Sequence, residues 1–268
     1  MMEIIGYVAS ALIGVSLGLV GSGGSILTIP VLVYLFHVEP SLATAYSLFI
    51  VGITALVGGI RSGVKQLVDL RTTIVFAMPS LLTVYLTRRL LVPFIPHQLG
   101  SLGSSVITKD MALMGFFSLL MLAASVSMIR HHQEEAPEET LMHENTWMIL
   151  PVGAAVGIVT GLVGAGGGFL IIPALILFAR LPMKKAVGTS LLIIATNSLI
   201  GFTGDIGSGQ PIDYAFVLLI AAIAVAGIFL GSYLSQLVDG RKLKTSFGWF
   251  VLGMGVYIIW KEFPPMDF

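Results

Sequence analysis

The chain of 268 residues is 56% hydrophobic and only 10% charged, with a mean hydropathy of +0.97, whereas a soluble domain carries roughly 25% charged residues. That balance excludes an ordinary soluble protein and indicates a polytopic membrane protein. Fourteen Lys and Arg offset fourteen Asp and Glu, so nothing favours nucleic-acid binding, and the absence of cysteine excludes disulfides, Cys-based zinc sites and thiol nucleophiles.

The first 24 residues are apolar but lack the basic leader and small-residue cleavage pattern of a secretion signal, so they are expected to stay in the fold. They run into a glycine-rich break, Gly18-Leu19-Val20-Gly21-Ser22-Gly23-Gly24-Ser25-Ile26-Leu27-Thr28-Ile29-Pro30. Unbroken apolar stretches follow at 41–60, 72–94 and 111–129, each long enough for a membrane-spanning helix. A polar run from His131 to Asn145, rich in glutamate, reads as a solvated cytoplasmic linker. The break then returns as Gly161-Leu162-Val163-Gly164-Ala165-Gly166-Gly167-Gly168-Phe169-Leu170-Ile171-Ile172-Pro173, followed by spans at 184–203, 213–237 and 245–260.

Shifted by 143 positions, residues 18–58 and 161–201 match without gaps at sixteen of forty-one places. The chain is therefore an internal duplication, with repeats at 1–130 and 146–268 joined by the linker 131–145. Basic residues are retained on the cytoplasmic side of a membrane. The loop holding Arg61, Lys65 and Arg71 has a counterpart at 203–213 with no base, while the base-free loop at His37 has a counterpart with Arg180, Lys184 and Lys185. The two copies are thus expected to be oppositely inserted. An odd number of crossings is then needed, and each broken segment is too long for one crossing, so it reads as a hairpin bent at its glycines. This arrangement places ten bases inside and Arg88, Arg89, Lys109 and Lys261 outside. Arg88, at the end of a long apolar stretch, is expected to snorkel to the interface, the alternative being that it faces the cavity and attracts an anion, and Asp205 and Asp213 are expected to stay in water beside an external loop.

Irregular backbone at membrane depth is tolerated only where it is buried in protein or lines a cavity. Amides at the start of each second hairpin arm lack helical partners and carry the positive end of a helix dipole. Gly23, Gly24 and Ser25, with Gly166, Gly167 and Gly168, are therefore candidates for cradling an anion. Hydroxyl and amide groups of the next spans, Ser47 in the first repeat and Thr189, Ser190 and Asn197 in the second, could complete the shell. The plainer reading of such glycines is close helix packing, and of such hydroxyls bonding to their own helix. Gly227 and Gly231 form a GxxxG pair suited to a contact within the fold or within a homodimer. No metal-ligand or cofactor motif is present, and nothing resembles an acid, base or nucleophile constellation.

At Gly161 to Pro173, followed by Ala186-Val187-Gly188-Thr189-Ser190, the chain resembles the TauE/SafE family of sulfite exporters, over nearly its whole length. The first repeat departs with Ser25 for the last glycine and Tyr46-Ser47 for Thr-Ser. The resemblance implies a secondary transporter of sulfur-containing anions such as sulfite or organosulfonates in the bacterial inner membrane, outward in many members. The expected molecule is an all-α polytopic membrane protein of two inverted repeats, each a glycine-broken hairpin plus three spans. It would hold a small anion near the midplane between the repeats, with a proton or ion as a coupling partner. An anion channel is the nearest alternative, and a membrane-embedded enzyme or assembly subunit the more distant one.

Overall fold

The computed structural model describes residues 2–21, 23–96, 98–102, 105–130, 146–206, 212–235 and 240–262. The linker 131–145 lies outside the described residues. Helix α1 (Met2–Val20) stops where Gly21 adopts φ +81, and a 3₁₀ turn, Gly23–Leu27, leads into α2 (Thr28–Tyr34). Helix α7 (Thr146–Val163) stops at Gly164, φ +76, and α8 (Gly168–Leu177) starts after Gly166 and Gly167, also at positive φ. Only glycine enters that left-handed region without steric cost. In the first repeat the chain folds back on itself, since Tyr7 of α1 packs edge-on against Phe36 beyond α2 with ring centroids 5.5 Å apart.

The unbroken helices coincide with the apolar stretches. They are α3 (Pro40–Val64), α4 (Leu70–Leu86), α6 (Lys109–Arg130), α9 (Met183–Ile206), α10 (Tyr214–Leu234) and α11 (Gly240–Glu262). Pro40 opens α3, where its missing N–H costs no bond. Asp69 and Asp213 cap α4 and α10, accepting the N–H of Thr72 at 2.7 Å and of Phe216 at 3.0 Å. Helix α4 continues through a five-residue π turn, Thr87–Leu91, into the short α5 (Val92–Phe94). A small antiparallel hairpin then intervenes, β1 (Gln98–Leu102) with β2 (Ser105–Thr108), which hydropathy gave no reason to expect. Among the described residues five helices are long and apolar enough to cross a membrane, and the hairpin arms are shorter apolar helices. The molecule is a multi-pass membrane protein.

Apolar helices in lipid gain little from burying greasy surface, so close backbone approach must hold them together. Columns of glycine supply it. A Cβ on Gly227 would strike the carbonyl of Ala11, one on Gly231 the carbonyl of Val15, and one on Gly18 would lie 2.6 Å from the carbonyl of Ile228. The GxxxG pair is thus used within the fold. The same device seats α7 on α4, where Gly153 meets Phe76, Gly157 meets Ser80 and Gly161 meets Val84 and Thr87.

These contacts also fix direction. Residue numbers rise together along α1 with α10 and along α7 with α4, so each hairpin's first arm runs parallel to a span of the other repeat. Between α3 and α9 they run oppositely: Phe49 packs on Phe202 at 5.0 Å, Gly52 faces Leu199, Gly59 faces Leu192, and Gly188 lies against Ser62. The two counterpart helices at the centre are antiparallel. Arg61 and Lys65 at the end of α3 therefore share one end of the bundle with Lys184 and Lys185 at the start of α9; this is called the basic end below, and the β1–β2 hairpin marks the other.

Gly227→Leu is expected to lower stability by about 1–3 kcal/mol, the usual cost of overpacking, because backbone cannot retreat from the added carbons. Gly63, with nothing within 4 Å of its would-be Cβ, is the control: Gly63→Ala should be neutral or stabilising. Thermal unfolding of the two variants in one detergent measures the contrast.

Candidate functional site

Arg88 is buried at 2% exposure, one of the largest fully enclosed side chains in the molecule. The π turn of α4 presents it inward. Such turns widen the helix by a residue and recur at functional sites. Its Nη1 donates to Thr44 Oγ1 at 3.0 Å and stands 3.4 Å from Asp205 Oδ2. The expectation that Arg88 snorkels to the interface and that Asp205 stays in water is overturned: the two form a buried ion pair across α4 and α9. A lone charge there would be costly, and the pair explains how both are held. Asp213 does remain exposed, as its capping role allows.

The opposite edge of the guanidinium is free. Nε and Nη2, the two nitrogens that share one edge of the fork, are buried and make no hydrogen bond. Nη2 abuts the glycine turn of the second repeat so closely that a Cβ on Gly164 would occupy its place, and would also lie 2.5 Å from Thr44 Cβ. Beyond Gly164 the turn runs through Gly166 and Gly167 into α8, whose first amides have no carbonyl within the helix to bond. Gly166 lies beside Ser198 Oγ, and both that hydroxyl and Thr160 Oγ1, beside Gly167, are buried without a partner. A bidentate cationic edge, a helix start and unpaired hydroxyls form a donor set suited to an oxyanion.

Among the described residues the first repeat shows no equivalent. At the matching place Gly21 faces the methyls of Val187, the counterpart of Thr44, and the paired caps Asp69 and Asp213 put Ser232 at the place of Arg88. There the second arm begins as a 3₁₀ turn, whose i to i+3 bonds take up amides a helix start would leave open. Gly24 packs tightly on Ile13, Ser16 and Leu17 of α1, and Ser25 is fully buried. Gly23 only opens the turn. Of the sequence-predicted glycines, Gly166, Gly167 and Gly168 continue the turn whose Gly164 touches Arg88, whereas Gly24 packs on α1.

The predicted hydroxyls part company as well. Ser47 Oγ is buried and unpartnered. Ser190 donates to its own helix at Val187, 2.8 Å, as does Thr54 to Ile50 at 2.6 Å. Asn197 Nδ2 donates to Ser80 Oγ at 2.6 Å across α9 and α4, leaving Oδ1 without a partner.

Thr189 takes a structural post. Its Oγ1 accepts the N–H of Asp69, the residue that caps α4, at 2.9 Å. In the other repeat the Tyr46 hydroxyl accepts the N–H of Asp213, the cap of α10, at 2.8 Å. Tyr46 and Thr189 are counterparts, so the apparent departure of Tyr for Thr preserves one contact with a longer side chain. Thr189→Val and Tyr46→Phe each orphan a capping residue's amide, and each is expected to cost about 1–3 kcal/mol, read by thermal unfolding, without loss of ligand affinity.

Family models and relatives were compared with the chain. The model described as sulfite exporter TauE/SafE matches residues 7–262. The chain belongs to the TauE/SafE family. A Xylella fastidiosa protein named "Probable membrane transporter protein" is 30% identical over 263 residues, covering 95% of this chain and 94% of the relative. A Bacillus subtilis protein, "Probable membrane transporter protein YunE", is 26% identical over 91% of each chain. No solved structure matches significantly. As a TauE/SafE member the protein is a membrane transporter and not an enzyme. Sequence reasoning named the two glycine turns as candidates, gave Arg88 a cavity-facing role only as its second reading, and did not foresee its pairing with Asp205. The signal that could have strengthened that second reading is the repeat alignment, in which, with the caps Asp69 and Asp213 matched, an arginine inside an apolar stretch stands opposite Ser232.

Proposed function

We propose that this TauE/SafE transporter carries small sulfur-containing oxyanions, such as sulfite or an organosulfonate, across the bacterial inner membrane by alternating access. One observation carries the reading: a buried arginine whose Nε and Nη2 are both unpaired, with Nη2 against a positive-φ glycine turn. Sulfite and sulfonate groups present oxygens in pairs, which a guanidinium edge binds bidentately with charge assistance. The amides of Gly168 and Phe169 and the hydroxyls of Ser198 and Ser47 supply further donors, with Asn197 and Ser80 bracing the wall.

The repeats 1–130 and 146–268 are, on this reading, inserted oppositely and joined through the linker 131–145 on the cytoplasmic side. Support comes from the antiparallel packing of α3 on α9 and from the basic residues gathered at one end, which the positive-inside rule assigns to the cytoplasm. Rocking of one repeat against the other would then open the site to each side in turn. Because the arginine belongs to one half only, the anion site is one-sided, and it lies about 9 Å of helix rise from Phe94 at the external end.

Two experiments test this. A ligand that binds only the folded protein raises its apparent stability, so sulfite, sulfoacetate and thiosulfate should raise the unfolding temperature and acetate less so; stabilisation by cations or neutral solutes alone defeats the proposal. The chain has no cysteine, so Val64→Cys and Ile206→Cys report topology cleanly. Labelling of both from the same side rules out opposite insertion.

A further inference from the structure

We propose that Asp205 is the proton-carrying group of this transporter: it balances Arg88 as an internal anion while the site is empty, and takes up one proton when a substrate anion binds the other edge of the guanidinium. The inference rests on the anion reading of Arg88 given above and adds the coupling ion to it.

The argument is one of charge conservation in a site where both charges are buried. Arg88 is enclosed by protein and keeps its charge at all accessible pH. With Asp205 ionised 3.4 Å away the pair is neutral. Adding a monovalent oxyanion to the free Nε–Nη2 edge leaves the site with one excess negative charge, strongly disfavoured where the surroundings cannot solvate it. One proton on the Asp205 carboxylate restores neutrality, and the guanidinium turns its full charge to the substrate. The loaded form is then arginine cation, substrate anion and carboxylic acid; the empty form is the bare ion pair. Each anion that enters brings one proton, and each that leaves takes one away.

Among the described residues other charges do not supply the balance. Helix α3 contributes Thr44 and Tyr46, whose hydroxyl is engaged with the Asp213 amide, and α7 carries no ionisable side chain. From the π turn Arg89 follows Arg88, with its backbone nitrogen near Gly204. From α6, Lys109 is within electrostatic reach of Asp205, but its Nζ donates to the Val92 carbonyl at 2.7 Å and it sits next to Asp110, which accepts the Ser41 amide at 3.2 Å. Asp205 lies in the last turn of α9, one residue before the helix ends. That position gives it a short path for protons at the end away from the basic residues.

Two consequences follow. Transport of a monovalent anion with one proton is electrically neutral, so a pH gradient drives it and a membrane potential alone does not. Outward movement requires the anion gradient to exceed any inward proton gradient.

The test uses methanesulfonate, whose own charge does not change between pH 5 and 8, and the purified full-length protein. Binding is expected to weaken by up to about tenfold per pH unit once Asp205 is ionised, with uptake of one proton per anion bound in weakly buffered solution. Asp205→Asn should bind more tightly at neutral pH, lose the pH dependence and take up no proton; Asp205→Glu should restore both. The same titrations with sulfite are read as wild type minus Asp205→Asn, which removes the ligand's own titration. If Asp205→Asn does not fold, the wild-type proton count decides. Binding that is equally tight at every pH, or that takes up no proton, overturns the coupling and leaves the anion site standing. Binding of neither anion at any pH defeats the anion reading, and the coupling with it.

Discussion

Arg88→Met is expected to abolish saturable anion uptake and to weaken sulfite binding at least a hundredfold. The variant removes two charge-assisted donors, each worth about 1.5–3 kcal/mol, and every 1.4 kcal/mol is about tenfold in affinity. It also strands the Asp205 carboxylate, a penalty of about 3–5 kcal/mol when one partner of a buried pair is lost, so stability falls with activity. The double variant Arg88→Met with Asp205→Asn separates the two effects, since it removes both charges and is expected to regain stability without regaining binding. Arg88→Lys keeps the charge but loses the planar edge, and should retain only a small part of the affinity. Uptake in proteoliposomes together with thermal unfolding reads all three. A double variant that folds and still transports sulfite with wild-type affinity removes Arg88 from the site.

The second large effect separates the two glycine turns. Gly164→Ala places a Cβ at φ +76, a strain of about 1–2 kcal/mol, and drives it into Arg88 Nη2 and the backbone of Thr44. Backbone cannot give way, so the guanidinium must move, and sulfite affinity is expected to fall about tenfold or more. Gly21→Ala carries the same backbone strain at φ +81 but meets only the side chain of Val187. It should lower stability to a similar degree yet leave affinity within about twofold, as for sites that share no partner. Equal losses of affinity from the two variants refute a one-sided site.

Much of the fold was legible because membranes impose few solutions. Apolar run length gives the spans, since a helix rises 1.5 Å per residue and must cross about 30 Å. The glycine runs gave the hairpins, because no other residue enters positive φ cheaply at Gly21, Gly164, Gly166 and Gly167. The β1–β2 hairpin escaped because its pairing depends on neighbours across a turn, with no periodicity strong enough to separate it from a loop. The contact of Thr189 escaped for a related reason: a hydroxyl in an apolar helix looks the same from the sequence whether it meets a ligand or, as here, the amide of Asp69.

By itself the sequence determined that this is a duplicated, glycine-broken membrane transporter of the TauE/SafE family, because composition, span length and local backbone permissiveness are properties of contiguous residues. Tertiary structure alone decided that Arg88 faces inward, that it pairs with Asp205 from a helix 117 positions away, and that the second repeat's turn meets a charge at Gly164. Those facts depend on which helix faces which. The π turn rotates Arg88 off the lipid side, and the glycine columns bring α4 beneath α7, so a residue that hydropathy assigns to an interface becomes the cation at the centre of the proposed site.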